Sequence, residues 1–167
     1  MKFIDSVREA QEHLEHLGLS DIVLPSSESQ DSKYCSYSIV PFGKDKRQYI
    51  LVVPCNLNEI AGIDFRDQLI TESKEQTALR ALYNETGVTT SVSDIQQIAS
   101  ETKRLQHNKK QRQYVYVVNS FFGEEFKTNP SDKHKGDPFF FPLEKLSKIL
   151  LDEQKWIIFK IKEFLKK

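Results

Sequence analysis

Residues 72–88 constrain this chain more than any other stretch. Ser73 followed by Gln76 three positions later matches a capping box, in which each residue satisfies an amide left orphaned at a helix start. Ala78, Leu79, Leu82 and Tyr83 then recur at helical spacing and make one apolar stripe. Gly87 stands where a helix C-terminus needs a left-handed residue. The pattern predicts a helix over 74–86 with Leu79, Leu82 and Tyr83 buried. Read on the helix alone, Glu85 lies solvated at the border of the stripe.

The same stretch resembles the Nudix box, whose pattern is G-x5-E-x7-R-E-U-x-E-E-x-G-U with U a bulky aliphatic residue. Aligned on Gly87, the chain keeps Glu72, Arg80, Leu82, Glu85, Gly87 and Val88 at the required spacing. It has Arg66 for the first glycine, Ala81 for the glutamate after the arginine, and Asn84 for the first glutamate of the pair. Just before the box, Asp64-Phe65-Arg66 replaces the usual small-residue turn, so backbone amides are not free to approach a substrate in the usual way. Arg66 could meet a phosphate instead.

The resemblance implies a Nudix fold of the α/β (α+β) class: a mixed β-sheet sandwiched between α-helices, here with an extra N-terminal helix. It implies Mg²⁺- or Mn²⁺-dependent hydrolysis of a nucleoside diphosphate linked to another group. Positions 81 and 85 lie four apart and so face one ion. Glu85 is then the catalytic and metal-binding residue, with the Asn84 amide as a weak helper, while Glu72, Arg80 and Gly87 hold the box in shape. Mg²⁺ can be held by one or two carboxylates plus substrate phosphates. A further acid would come from Glu72, Glu75, Glu101, Glu124, Glu125, Asp132 or Asp137.

The surroundings fit over roughly residues 34–165. Tyr37–Phe42 and Tyr49–Val53 read as strands joined by the charged turn 43–47. Ile95–Ala99 is a short strand and Gln113–Phe122 a stronger one, rich in β-branched and aromatic residues. Residues 138–146 read as a last strand running into a helical turn. A closing helix over 152–164 brings Trp156, Ile157, Phe159, Ile161 and Phe164 toward a core.

At 167 residues the chain suits a single domain, with an N-terminal helix and loop over 1–33 and the Nudix-like core over 34–167. Phe3, Ile4, Val7, Ala10, Leu14 and Leu17 give that first helix, and Gly18 stops it. Its His13 and His16 read as a solvated face, and the helix could pack on the sheet or form a homodimer contact. Lys plus Arg and Asp plus Glu each total 24, so net charge gives no argument for nucleic acid or membrane. With no transmembrane stretch or signal-like start, the expected place is the cytoplasm, with Cys35 and Cys55 reduced.

Residues 103–112 carry Lys103, Arg104, Lys109, Lys110, Arg112 and His107 with no acid, followed by Tyr114 and Tyr116. They read either as a solvated hairpin loop or as an arm in which Arg104, Lys109, Lys110 and Arg112 contact phosphates while an aromatic ring stacks on a base. Two functions follow. The first is a metal-dependent Nudix-type pyrophosphohydrolase with a reduced metal set. The second is a non-catalytic Nudix-fold module that binds a nucleotide, RNA or a protein partner.

Overall fold

A computed structural model describes residues 2–17, 34–54, 60–62, 65–67, 72–104, 109–122 and 136–166, with 60–62 and 65–67 described as backbone only. Among the described residues are three α-helices, α1 (Val7–Leu17), α2 (Lys74–Thr86) and α3 (Lys155–Leu165), and eight strands. The strands are β1 (Tyr34–Ile39), β2 (Pro41–Lys44), β3 (Arg47–Pro54), β4 (Ile60–Gly62), β5 (Phe65–Asp67), β6 (Ile95–Arg104), β7 (Lys110–Val118) and β8 (Phe139–Pro142).

The strands form two four-stranded sheets. One is mixed, in the order β5-β1-β7-β6, with β1 and β7 parallel and the other pairs antiparallel. The other is antiparallel, with β3 paired to β2, β4 and β8. Alternation along β1 shows how the mixed sheet is sandwiched. Ser36 and Ser38 donate to the carbonyls of Lys74 and Ala78 in α2, while Tyr37 between them meets Trp156 of α3 edge-on. The sheet therefore has α2 on one face and α3 on the other.

The single strand expected over 37–42 divides at Val40. Pro41 has no N–H to continue the β1 ladder, and it stands first in its own strand. The Val40 carbonyl accepts from the Leu51 amide at 3.1 Å, so the chain passes into the second sheet there. β6 runs on to Arg104 and β7 begins at Lys110, so Lys103, Arg104, Lys110 and Arg112 lie on paired strands, while His107 lies outside the described residues. β7 ends at Val118; Phe122 makes an isolated bridge to Thr89.

The core joins both sheets. Residues 49–53 of β3 are buried throughout, as are Phe139, Phe140 and Phe141 of β8. In α3 the buried face is Ile157, Ile158 and Ile161, while Phe159, expected in the core, is 63 % exposed. Before α1, residues 2–4 run alongside β8, with the Ile4 amide donating to the Phe140 carbonyl and the Phe140 amide to the Lys2 carbonyl. That places the Phe3 ring among Phe42, Tyr49 and Phe140. The N-terminal helix thus packs on the antiparallel sheet, with Ala10 and Leu14 buried. Its His13 is half-buried against Phe139 rather than on a solvated face. Among the described residues no helix is long and apolar enough to cross a membrane. Cys35 is buried and not in a disulfide; Cys55 lies outside the described residues.

Candidate functional site

The box helix is built as its local signals dictate. Ser73 Oγ accepts from the Gln76 amide at 3.1 Å, and Gln76 Oε1 accepts from the Ser73 amide at 2.9 Å, closing both halves of the capping box. At the other end Gly87 has φ 76°, and its amide donates to the Tyr83 carbonyl at 2.9 Å. Ahead of the helix, Arg80 Nε donates to Glu72 Oε2 at 2.7 Å and Arg80 Nη2 to Glu72 Oε1 at 3.1 Å. The Thr77 hydroxyl donates to the same Oε1 at 3.1 Å. Glu72, Thr77 and Arg80 thus tie the residue ahead of the helix to its first two turns.

The helix is rolled differently on the sheet than its apolar stripe suggests. Its buried residues are Thr77, Ala78, Ala81, Leu82, Glu85 and Thr86. Leu79 is half-buried, and Tyr83, expected in the core, is 56 % exposed. The cause lies in β1, where the small side chains of Ser36 and Ser38 reach the helix backbone itself. That close approach selects the column of small residues 77, 78 and 81 as the inward face.

Positions 81 and 85 consequently stack on that inward face, one as a methyl group and one as a carboxylate, both 0 % exposed. The border position expected for Glu85 from the helix alone is replaced by complete burial. Asn84 beside it is half-buried. A buried carboxylate is costly unless partnered or ligating, which makes Glu85 the chemically notable group of the helix. Mg²⁺ demands near-octahedral oxygen ligands. Among the described residues no three His, Cys, Asp or Glu side chains come together. Glu85 and the Asn84 amide would supply one carboxylate and one neutral oxygen, leaving the other positions of such an ion to substrate phosphates and water.

Three acids of the expected pool are engaged elsewhere. Glu72 is held by Arg80, and Glu101 pairs with Lys103 at 3.0 Å on the opposite face of the sheet. Glu75 accepts from the Tyr116 hydroxyl at 3.1 Å. Burial pushes the Tyr116 phenol far up, and the bond to Glu75 adds to it, so this tyrosine remains protonated. Asp137 is exposed. Glu124, Glu125 and Asp132 lie outside the described residues.

The basic run divides by strand alternation. Arg104 pairs with Lys110, Thr102 with Arg112 and Ser100 with Tyr114, placing all six on the α2 side of the sheet. Lys103 points the other way, its ammonium 4.9 Å from the Trp156 ring centre. Arg112 lies across β6, Nη1 donating to Thr102 Oγ1 at 2.9 Å and Nη2 to Ser100 Oγ at 2.6 Å. Lys109 is exposed at the start of β7. Arg66 lies on β5 with its backbone opposite Ser36; its side chain is outside the described residues.

Two residues join this face that sequence reading missed. The parallel pairing of β1 with β7 puts Tyr34 beside Arg112, with its ring 5.9 Å from that of Tyr114. The Lys74 ammonium, from the first turn of α2, lies 4.5 Å from the Tyr114 ring centre. No local pattern announces either contact, because both depend on which strands become neighbours.

No protein-family model matches the chain, and no curated protein sequence matches it. Solved structures do. A MutT NUDIX hydrolase from Burkholderia pseudomallei aligns over 77 % of this chain and 97 % of its own, at 15 % identity and a TM-score of 0.60. The NUDIX domain of Shewanella oneidensis NrtR, solved in complex with ADP ribose, aligns over 90 % and 97 %, at 19 % identity and a TM-score of 0.59. An Ap4A hydrolase from C. elegans aligns over 80 % and 98 %, at 12 % identity and a TM-score of 0.55. With its helices and mixed sheet, the chain has the Nudix fold.

Proposed function

We propose that this chain is a Nudix-fold ligand-binding module that recognises a nucleotide or related diphosphate and does not hydrolyse it through the box. The observation that carries this is the state of α2: its ligand-bearing face presents Ala81 and a wholly buried Glu85, with Asn84 in place of a third acid. The elements that shape the box are intact while the groups that would bind several ions are reduced to one. Such an arrangement keeps a scaffold and loses chemistry. The NrtR domain, solved with ADP ribose, supports a ligand of the nucleoside diphosphate class.

Titration calorimetry with ADP-ribose, in Mg²⁺ and again in EDTA, is the direct test, run beside a product assay on the same mixtures. Binding that survives EDTA without turnover is the expected result. Turnover that requires Mg²⁺ and disappears in Glu85→Gln would replace this reading with the second one, a metal-dependent pyrophosphohydrolase. That alternative is favoured by the retention of Glu85 itself and by the Glu72–Arg80 pair that fixes the box.

A further inference from the structure

The α2 side of β6 and β7 carries charge and aromatic rings that the box does not use. Arg104 and Lys110 face each other at the ribbon's end, both exposed, and Arg112 follows one alternate position along β7. Alternate residues of a strand lie about 6.8 Å apart, which sets Lys110 and Arg112 along β7, with Arg104 across the ribbon from Lys110. Arg112 is held extended by two neutral hydroxyls, Thr102 Oγ1 and Ser100 Oγ, which orient its guanidinium without neutralising it. Next along β7 comes Tyr114 and, across the parallel pair, Tyr34, with the Lys74 ammonium at the far side of Tyr114. Glu75, in the first turn of α2 beside Lys74, accepts from the Tyr116 hydroxyl.

From this juxtaposition we propose that the β6–β7 face is a binding site for single-stranded nucleic acid. Arg104, Lys110, Arg112 and Lys74 meet successive phosphates, and Tyr34 stacks on a base. A set of cations on a rigid ribbon suits a backbone that carries one charge per nucleotide. Lys74 sits over Tyr114, whereas the half-buried Tyr34 ring, tilted by 41° to it, offers the stacking surface. A duplex holds its bases stacked internally and offers none to Tyr34, so a single strand is the better fit. Lys74 belongs to the box helix, but the site otherwise uses β1, β6 and β7, whereas the diphosphate reading rests on Ala81, Asn84 and Glu85.

Fluorescence anisotropy of the whole chain with a labelled twelve-nucleotide single-stranded RNA of mixed sequence, across a salt series, tests the proposal. Duplex of the same sequence and phosphatidylserine vesicles serve as the other arms. The wild type should bind the single strand more tightly than the duplex, with affinity falling steeply as salt rises. Arg104→Glu with Lys110→Glu, two exposed positions whose reversal leaves the core untouched, should weaken binding at least tenfold. The double neutral variant Arg104→Gln/Lys110→Gln should lower the salt slope by about two, one for each phosphate no longer met by a cation. Tyr34→Leu, checked for an unchanged melting profile, should cost about tenfold with little change in slope. Absence of binding at low salt, equal affinity for duplex, or preference for vesicles would overturn the proposal. So would single-strand binding unchanged by the charge reversal. None of these outcomes bears on ADP-ribose binding.

Discussion

The Arg80 guanidinium grips the Glu72 carboxylate through both oxygens, at 2.7 and 3.1 Å, across two turns of α2. Both side chains are largely shielded, 27 % and 15 % exposed, and the fork geometry is the strong form of this contact. Arg80→Ala and Glu72→Ala should each destabilise the chain, and a double-mutant cycle in urea should return a coupling of about 1–2 kcal/mol. Strictly additive losses would show that the segment before the box is held by something else.

Leu82 and Tyr83 are neighbours with opposite fates. Leu82 is 0 % exposed against the sheet, and Leu82→Ala should cost about 2–5 kcal/mol by leaving a cavity under α2. Tyr83→Ala, at a position 56 % exposed, should cost less than about 1 kcal/mol. Chemical denaturation of the two variants side by side checks the roll of the helix, and equal losses would contradict it.

The hairpin joining β2 to β3 turns through Asp45 and Lys46, with φ of 51° and 65°. Two consecutive left-handed residues suit a tight hairpin, yet neither is glycine, so side chains there sit in a costly region. Lys46→Gly should therefore raise stability by about 1 kcal/mol, read as a higher urea midpoint at unchanged slope. A lower midpoint would mean that the Lys46 side chain contributes more than its backbone strain removes.

Burial against Phe139 lowers the pKa of His13, and the nearby Lys2 ammonium, 3.3 Å from Nδ1, lowers it further, as does His16. The unfolded chain then binds a proton near the ordinary 6.5 while the folded one resists it. Stability from this group is complete above that pH and falls as pH drops from there toward the folded value. Urea denaturation between pH 8 and pH 5 should show that decline, and His13→Gln should make it shallower. An unchanged decline in the variant would assign it to carboxylates instead.

The box helix was legible because its signals are local: Ser73, Gln76 and Gly87 act on amides within one turn, and their spacing alone specifies both ends. Its roll was not, because periodicity cannot distinguish a face containing Leu82 with Ala78 and Ala81 from one containing Leu82 with Leu79 and Tyr83. The two serines of β1 decide that, and their approach to α2 is a tertiary event. The same holds for Glu85, whose residue type and spacing could be read while its burial could not. The division at Val40 was hidden because an apolar run looks the same whether it serves one sheet or two. The basic residues at 103–112 were visible as composition, but their sorting onto opposite faces needed the β6–β7 register.

The pairing of residues 2–4 with β8 has a consequence for the chain's solubility. β8 is a short, wholly apolar strand, and β3 satisfies one of its edges; Lys2 and Ile4 close the other through Phe140. An open strand edge is a template on which a second chain can pair and from which aggregates grow. Lys2 and Ile4 therefore guard β8 against pairing with a second chain.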